Sequence, residues 1–158
     1  MTELEGPRQI ILVSCRYKGK DNVMTAAWHM PTSFVPRLYA ISIGKKRFSH
    51  DMIKKSRLFC VNFIPKELEK LAIKCGSLSG RNVDKFAVLN IKKARCKKIN
   101  CPRIRTALGW LECKVVKIIE TGDHTIFVGK VVYSKLAKKG KRGKRLFYCA
   151  NKFTTTLE

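Results

Sequence analysis

Four stretches of the chain carry side chains able to grip or act on a small molecule. In Asn22-Val23-Met24-Thr25-Ala26-Ala27-Trp28, small residues on an edge strand would let backbone N–H groups approach a flat ring. Thr25 would add a hydroxyl and Trp28 an aromatic wall, and Asn22 and Met24 would then flank the ring from the turn. The plainer alternative is a hairpin strand with a core tryptophan. Ser42, Ile43 and Gly44 lead through the cations Lys45, Lys46 and Arg47 to Ser49, just ahead of a short helix. A phosphate fits such a turn, because charge-assisted bonds from Arg or Lys combine with N–H groups left free at a helix N-terminus. A solvated turn with a capping serine is the commoner fate. His124 follows a Gly-Asp turn into a strand, where a lone imidazole is more often a surface residue. Lys85, between Asp84 and Phe86, reads by itself as a helix-surface lysine paired with Asp84.

Several familiar chemistries have no motif here. There is no G-x-x-x-x-G-K-[ST] loop, G-x-G-x-x-G turn, nucleophile elbow or H-E-x-x-H helix. The seven cysteines are irregularly spaced, without a C-x-x-C pair or a neighbouring histidine pair, so reduced thiols are expected and no four-ligand zinc set can be assembled. Cys96 and Cys101 sit close together in a basic loop, where redox activity is conceivable and inertness simpler.

The elements that must position these residues are mostly strands. Ile10 to Tyr17 and Val23 to Met30 read as a hairpin about Gly19, Asp21 and Asn22. Leu38 to Gly44 and Leu58 to Phe63 are short strands flanking a helix that Ser49 would cap, with Met52 and Ile53 turned inward. Pro65 at a first helical position, then Leu68, Leu71, Ala72 and Cys75, predict an amphipathic helix ended by Gly76. The pattern dissolves between Gly76 and Arg105. It returns as strands at Ala107 to Ile119, His124 to Tyr133 and Leu146 to Phe153. Strands joined by short turns favour a mainly β, antiparallel barrel with a few short flanking helices over a parallel sheet.

With 158 residues, 45% of them hydrophobic, one domain spanning 1–158 with one core is expected. No apolar run approaches the roughly 20 residues of a membrane span, and the first residues lack the pattern of a secretory signal, so a cytoplasmic protein without membrane contact is expected. Lys and Arg number 34 against 11 Asp and Glu, a formal charge of +23. That balance is the footprint of a nucleic-acid binder. It is spread over many turns, however, and the densest segment, Lys135 to Arg145, has seven basic residues and no aromatic on which a base could stack. A solvated hairpin tip is the plain reading of that segment. The functional ones are attraction of a nucleotide phosphate, an acidic electron-transfer protein or nucleic acid.

Motifs in order along the chain supply more. Asn22 to Trp28, Pro36 with Tyr39 to Gly44, Arg47-Phe48-Ser49 and Phe59 to Phe63 resemble the flavin reductase-like, FMN-binding split-barrel family. So do Cys75-Gly76, Ser79-Gly80-Arg81, Asp84-Lys85-Phe86 and Gly122 to Gly129 further on, and the likeness runs from about Gly6 to Phe153. The resemblance implies an antiparallel split β-barrel and a homodimer with a flavin near the interface, FMN or alternatively FAD. It implies electron transfer from NADH or NADPH to an acceptor, which would be a flavin, ferric iron or a protein. It places the FMN phosphate near Arg47 and Ser49, with Lys45 beside them. It sets Ser42, Ile43, Gly44 and the Asn22 to Trp28 strand at the cofactor, and His124 at the flavin or nicotinamide edge as the candidate catalytic residue. Lys85 would bring positive charge to the N1/O2 side of the ring. Two alternatives stay open: a flavin-carrying electron-transfer protein without a nicotinamide site, and a basic nucleic-acid-binding barrel.

Overall fold

A computed structural model describes residues 3–138 and 143–155. The chain begins with β1 (Arg8–Gln9), β2 (Ile11–Tyr17), β3 (Lys20–Ala26), β4 (His29–Ser33) and β5 (Leu38–Gly44). After helix α1 (Phe48–Ser56) come β6 (Leu58–Phe63), α2 (Glu69–Ser77) and α3 (Lys85–Val88). It finishes with β7 (Lys93–Arg95), β8 (Pro102–Ile104), β9 (Gly109–Thr121), β10 (His124–Leu136), β11 (Leu146–Cys149) and β12 (Lys152–Thr155). Seven strands form one antiparallel sheet in the order β3-β2-β6-β9-β10-β5-β4, the mainly β architecture expected. Among the described residues, no helix is long and apolar enough to cross a membrane.

Two cores explain the apolar runs. Ile11, Val13, Ile41, Ile43, Phe59 and Phe127 fill the inside of the sheet, and Met52 and Ile53 of α1 join them. Leu12, Val23, Cys60 and Trp110 point the other way, against Ala72 and Cys75 of α2, Phe86 of α3 and Ile104 of β8. β2 is thus buried on both faces, which is why Ile10 to Val13 is continuous rather than alternating. Each large side chain so buried contributes roughly 1.5–3 kcal/mol.

The structure corrects several local expectations. The run Val23 to Met30 is two strands: β3 stops at Ala26, and the Trp28 carbonyl accepts from the Ser42 N–H at 2.9 Å as the chain crosses to β4. Ser49 does not cap α1. Arg47 holds the N-cap position with extended backbone and no capping side chain, and Ser49 lies buried in the first turn. Pro65 precedes a short 3-10 turn, Lys66–Leu68, and Gly76 lies inside α2 rather than beyond it. The final strand is a hairpin, because Ala150 and Asn151 both take positive φ (46° and 61°) between β11 and β12. Of the basic segment Lys135 to Arg145, residues 139–142 lie outside the described residues.

The stretch after Gly76 is ordered by buried polar groups rather than by periodicity. Asn62 donates to the Leu12 carbonyl (3.0 Å) and accepts from the Ile104 N–H (2.8 Å). Ser14 donates to the Pro102 carbonyl at 2.6 Å. The fully buried Glu112 carboxylate accepts from the N–H groups of Lys97 (2.7 Å) and Lys98 (2.6 Å). An unpaired polar group in such a place would cost ~1–3 kcal/mol, so these bonds pin the β7–β8 excursion to the barrel wall.

Candidate functional site

Where β3, the start of α1 and the end of α2 meet, a cleft of about 170 Å³ opens. It gathers six of the residues singled out from the sequence: Asn22, Met24, Thr25, Arg47, Ser49 and Lys85. Lys46, Phe48 and the Cys75–Gly80 turn complete it. Gly80 permits the closure, since a Cβ there would lie 2.2 Å from Asn22 Oδ1 and 3.0 Å from the Phe48 ring. Asn22 Nδ2 donates to Ser49 Oγ at 2.9 Å, joining strand to helix. The Thr25 hydroxyl is spent on the Ala72 carbonyl.

The charges converge in two ways. Arg47 and Lys46 are exposed at the mouth, beside the first turn of α1, whose N–H groups have no side-chain cap. Lys85 is instead buried in the wall, 4% exposed, with its ammonium donating to the carbonyls of Cys75 (2.7 Å) and Val23 (2.9 Å). It is not a surface lysine, and Asp84 is not its partner: that carboxylate caps α3 by accepting from the N–H groups of Phe86 and Ala87. Burial holds the Lys85 ammonium below the ordinary lysine range, although the neighbouring Cys75 counteracts this, and Arg47 adds to the lowering. Burial also pushes the Cys75 thiol up to about 11 and that of Cys15 to about 12, which keeps both protonated at neutral pH. Among the described residues no cluster suited to a metal ion occurs.

A second, wider groove of about 520 Å³ holds Ala27, Trp28 and Ser42, with Arg8, His29 and Tyr39. His124 lies beside it: its ring centroid is 4.6 Å from that of Trp28, and its Nδ1 is 2.7 Å from the Asp123 carboxylate. His124 pairs with Gly44 across β5 and β10, and the imidazole and the Arg47 side chain both lie against that glycine. Three expected cofactor residues face elsewhere. Ala26 and Ile43 are buried in the interior core. Lys45 turns to Glu120 (Nζ to Oε2, 3.0 Å) because its own N–H is tied to the Asp123 carbonyl, and Lys46 takes the place at the cleft. Lys46 and Gly80 join the site beyond the cofactor residues expected from the sequence, Gly80 from within the Ser79-Gly80-Arg81 motif.

The atoms of the cleft suit a flavin nucleotide. Two exposed cations beside uncapped helix N–H groups suit a phosphate. The buried Asn22 Oδ1 has no donor among the described residues, and the Lys85 ammonium has a third proton beyond its two carbonyls. These are polar positions that a ligand would satisfy, so the residues present fit the group.

The flavin reductase like domain family matches residues 5–157. The chain belongs to this family. A protein of Archaeoglobus fulgidus described only as uncharacterized is 42% identical over 125 residues, 79% of this chain and 71% of its own length. The NADH-dependent FAD reductase of Streptomyces globisporus is 31% identical over 110 residues, 69% of this chain and 59% of its own. Among solved structures, the FMN-binding protein of Thermus thermophilus with bound 1-cyclohex-2-enone superposes with a TM-score of 0.86. It is 29% identical, and the match covers 98% of this chain and 89% of that one. The flavin reductase-like barrel is therefore the fold of this chain, and its cleft lies among the motifs that carried the resemblance.

Proposed function

We propose that this flavin reductase-like chain binds a flavin mononucleotide unit, as FMN or as the corresponding half of FAD, and carries electrons from NADH or NADPH to an acceptor. One observation carries the reading: Arg47, Lys46, the uncapped first turn of α1, Asn22 and the buried Lys85 all face one cleft in a member of this family. When bound, the flavin supplies the redox chemistry, taking a hydride from the nicotinamide and releasing electrons to the acceptor. The chain's own residues bind and orient. Arg47 and Lys46 hold the phosphate with the α1 amides, Ser49 fixes Asn22, and Lys85 keeps a positive charge in the wall where the ring's electron-rich edge would gain from it. Trp28 and His124 form the aromatic border over which a nicotinamide would enter.

The protein would act as a homodimer, with the partner covering the wide groove. Trp28 just before the edge strand β4 and Met30 within it leave 40% and 57% of their surface exposed, and Phe34 and Val35 after it leave 94% and 93%. Such an apolar edge is costly to leave in water. Light scattering should give about twice the chain mass of 18.1 kDa.

The visible spectrum of the purified protein tests the central claim. FMN titration should quench flavin fluorescence, and anaerobic NADH or NADPH should bleach the bound flavin. Failure of quenching removes flavin binding. Quenching without bleaching by either nicotinamide leaves a flavin carrier and removes the reductase.

A further inference from the structure

Beside the cleft, the tip of the β2–β3 hairpin lies across one face of α1, and a groove of about 330 Å³ runs between them. Phe48 and Lys55 mark its two ends on the helix; the seven steps of 1.5 Å between them make it about 10 Å long. The hairpin contributes Tyr17, Lys18 and Lys20, and Arg81 closes the side nearest the cleft.

The groove is built from rings that carry cations. Lys18 and Lys55 place their ammonium groups 5.7 and 5.8 Å from the centre of Tyr17. Lys20 and the Arg81 guanidinium lie 4.9 and 5.1 Å from the centre of Phe48. Such contacts steady a cation while leaving its N–H donors available. The carboxylate of Asp51, the one acid lining the groove among the described residues, is taken by Arg81 at 2.7 Å, which holds it below the usual carboxylate range. Among the described residues Lys18, Lys20 and Lys55 have no carboxylate partner, so the groove carries unbalanced positive charge next to a planar, stackable guanidinium.

The groove adjoins the cleft. Phe48 is a wall of both cavities, and Arg81 directly follows Gly80 of the cleft. A molecule anchored by a phosphate at Arg47 would enter this groove with whatever follows that phosphate.

We propose that the groove binds the adenosine phosphate end of a dinucleotide, with Lys18, Lys20 and Lys55 taking its phosphate and the Arg81–Phe48 stack its adenine. The proposal rests on the reading of the cleft as a flavin nucleotide site. FAD and NADPH both carry this group, and the test separates them.

The test is fluorescence and calorimetric titration of the full chain and a Lys18→Ala/Lys55→Ala double variant with FMN, FAD, NADPH and ADP. The parent binds FAD more tightly than FMN, and ADP competes with FAD but not with FMN. The double variant loses about tenfold in affinity for ADP and FAD while FMN changes by less than about twofold, as removal of two partly solvated charge contacts requires. If NADPH and ADP weaken and FAD does not, NADPH is the occupant and the groove stands as an adenosine phosphate site. If FMN weakens in step with FAD, or if no ligand weakens, the proposal is overturned. ADP separates the two readings: ADP binding lost in the double variant of a protein that binds no flavin sinks the cleft reading alone. FMN binding without any ADP binding or FAD preference sinks the groove alone.

Discussion

Arg47 and Lys46 reach the cleft from solvent, and Lys85 reaches it from the core. The two placements have different consequences. An exposed Arg can hold a phosphate by charge-assisted bonds without any cost of burial. Arg47→Ala should therefore weaken FMN by about 10- to 100-fold, the equivalent of ~1.5–3 kcal/mol for a bond to a charged group. Riboflavin, which lacks the phosphate, should change by less than about twofold in the same fluorescence titration. Equal losses would show that Arg47 holds something other than the phosphate.

Asp21 illustrates how titration enters stability at the same scale. Burial alone would raise its carboxyl, but Arg16 (2.5 Å) and Lys93 (2.5 Å) outweigh that and hold it below the usual carboxylate range. Its folded-state affinity for protons is lower than in the unfolded chain. The stabilisation is therefore present above the ordinary carboxylate pKa and is lost as pH falls through the depressed one. Asp21→Asn should cost ~1–2 kcal/mol at pH 7 and flatten the acid limb of the stability curve, read by denaturant melts from pH 7 down to 2. An unchanged acid limb would assign acid sensitivity to other carboxylates.

At the scale of elements, close approach decides more than propensity. Gly129 sits in β10 at a register shift against β9, and a Cβ there would lie 2.7 Å from both Cys113 Cβ and the Phe59 ring. Two packed walls of the core cannot both give way, so Gly129→Ala should destabilise by ~1–3 kcal/mol, measured as a lower urea midpoint. Its effect on flavin affinity should be small, because β10 at this point faces the core rather than the cleft.

The same elements show what the sequence made legible. The β2–β3 hairpin could be read because Gly19 breaks two apolar runs, although the turn itself is Lys18–Gly19, both at positive φ, and the expected turn residues Asp21 and Asn22 lie within β3. The inward Met52 and Ile53 of α1 followed from helical spacing. Six cleft residues were recognisable because their motifs recur in order. What escaped depends on partners distant in sequence. Lys45 and Lys46 are chemically equivalent locally; the choice between them is made by Asp123, which binds the Lys45 N–H, and by Glu120, which takes its ammonium. The Lys97–Lys98 loop is fixed by a carboxylate from Glu112, and a buried acid in a strand announces no partner through its neighbours. The same holds for Lys85, whose carbonyl acceptors lie on β3 and α2.

For the whole molecule, the charge of +23 matters through its distribution as well as its size. Around α1 and the hairpin tip lie Lys18, Lys20, Lys46, Arg47 and Lys55, all exposed, and the nearby acids Asp51 and Glu120 are already engaged by Arg81, Lys45 and Lys54. The cleft therefore opens into a region of positive potential. An anionic acceptor approaching the reduced protein would be drawn toward it, with a reach of about 30 Å at 0.01 M salt and 8 Å at 0.15 M. Stopped-flow oxidation of the reduced protein should slow by about tenfold or more between these salt concentrations when the acceptor is a multiply charged anion. A neutral quinone of similar potential should change by less than about twofold, since it feels no long-range force. Equal salt dependence for the two acceptors would mean that the charge around α1 serves ligand binding within the cavities and does not steer the acceptor. Suppression of the salt effect in the Lys18→Ala/Lys55→Ala variant would instead locate the steering field at the hairpin tip.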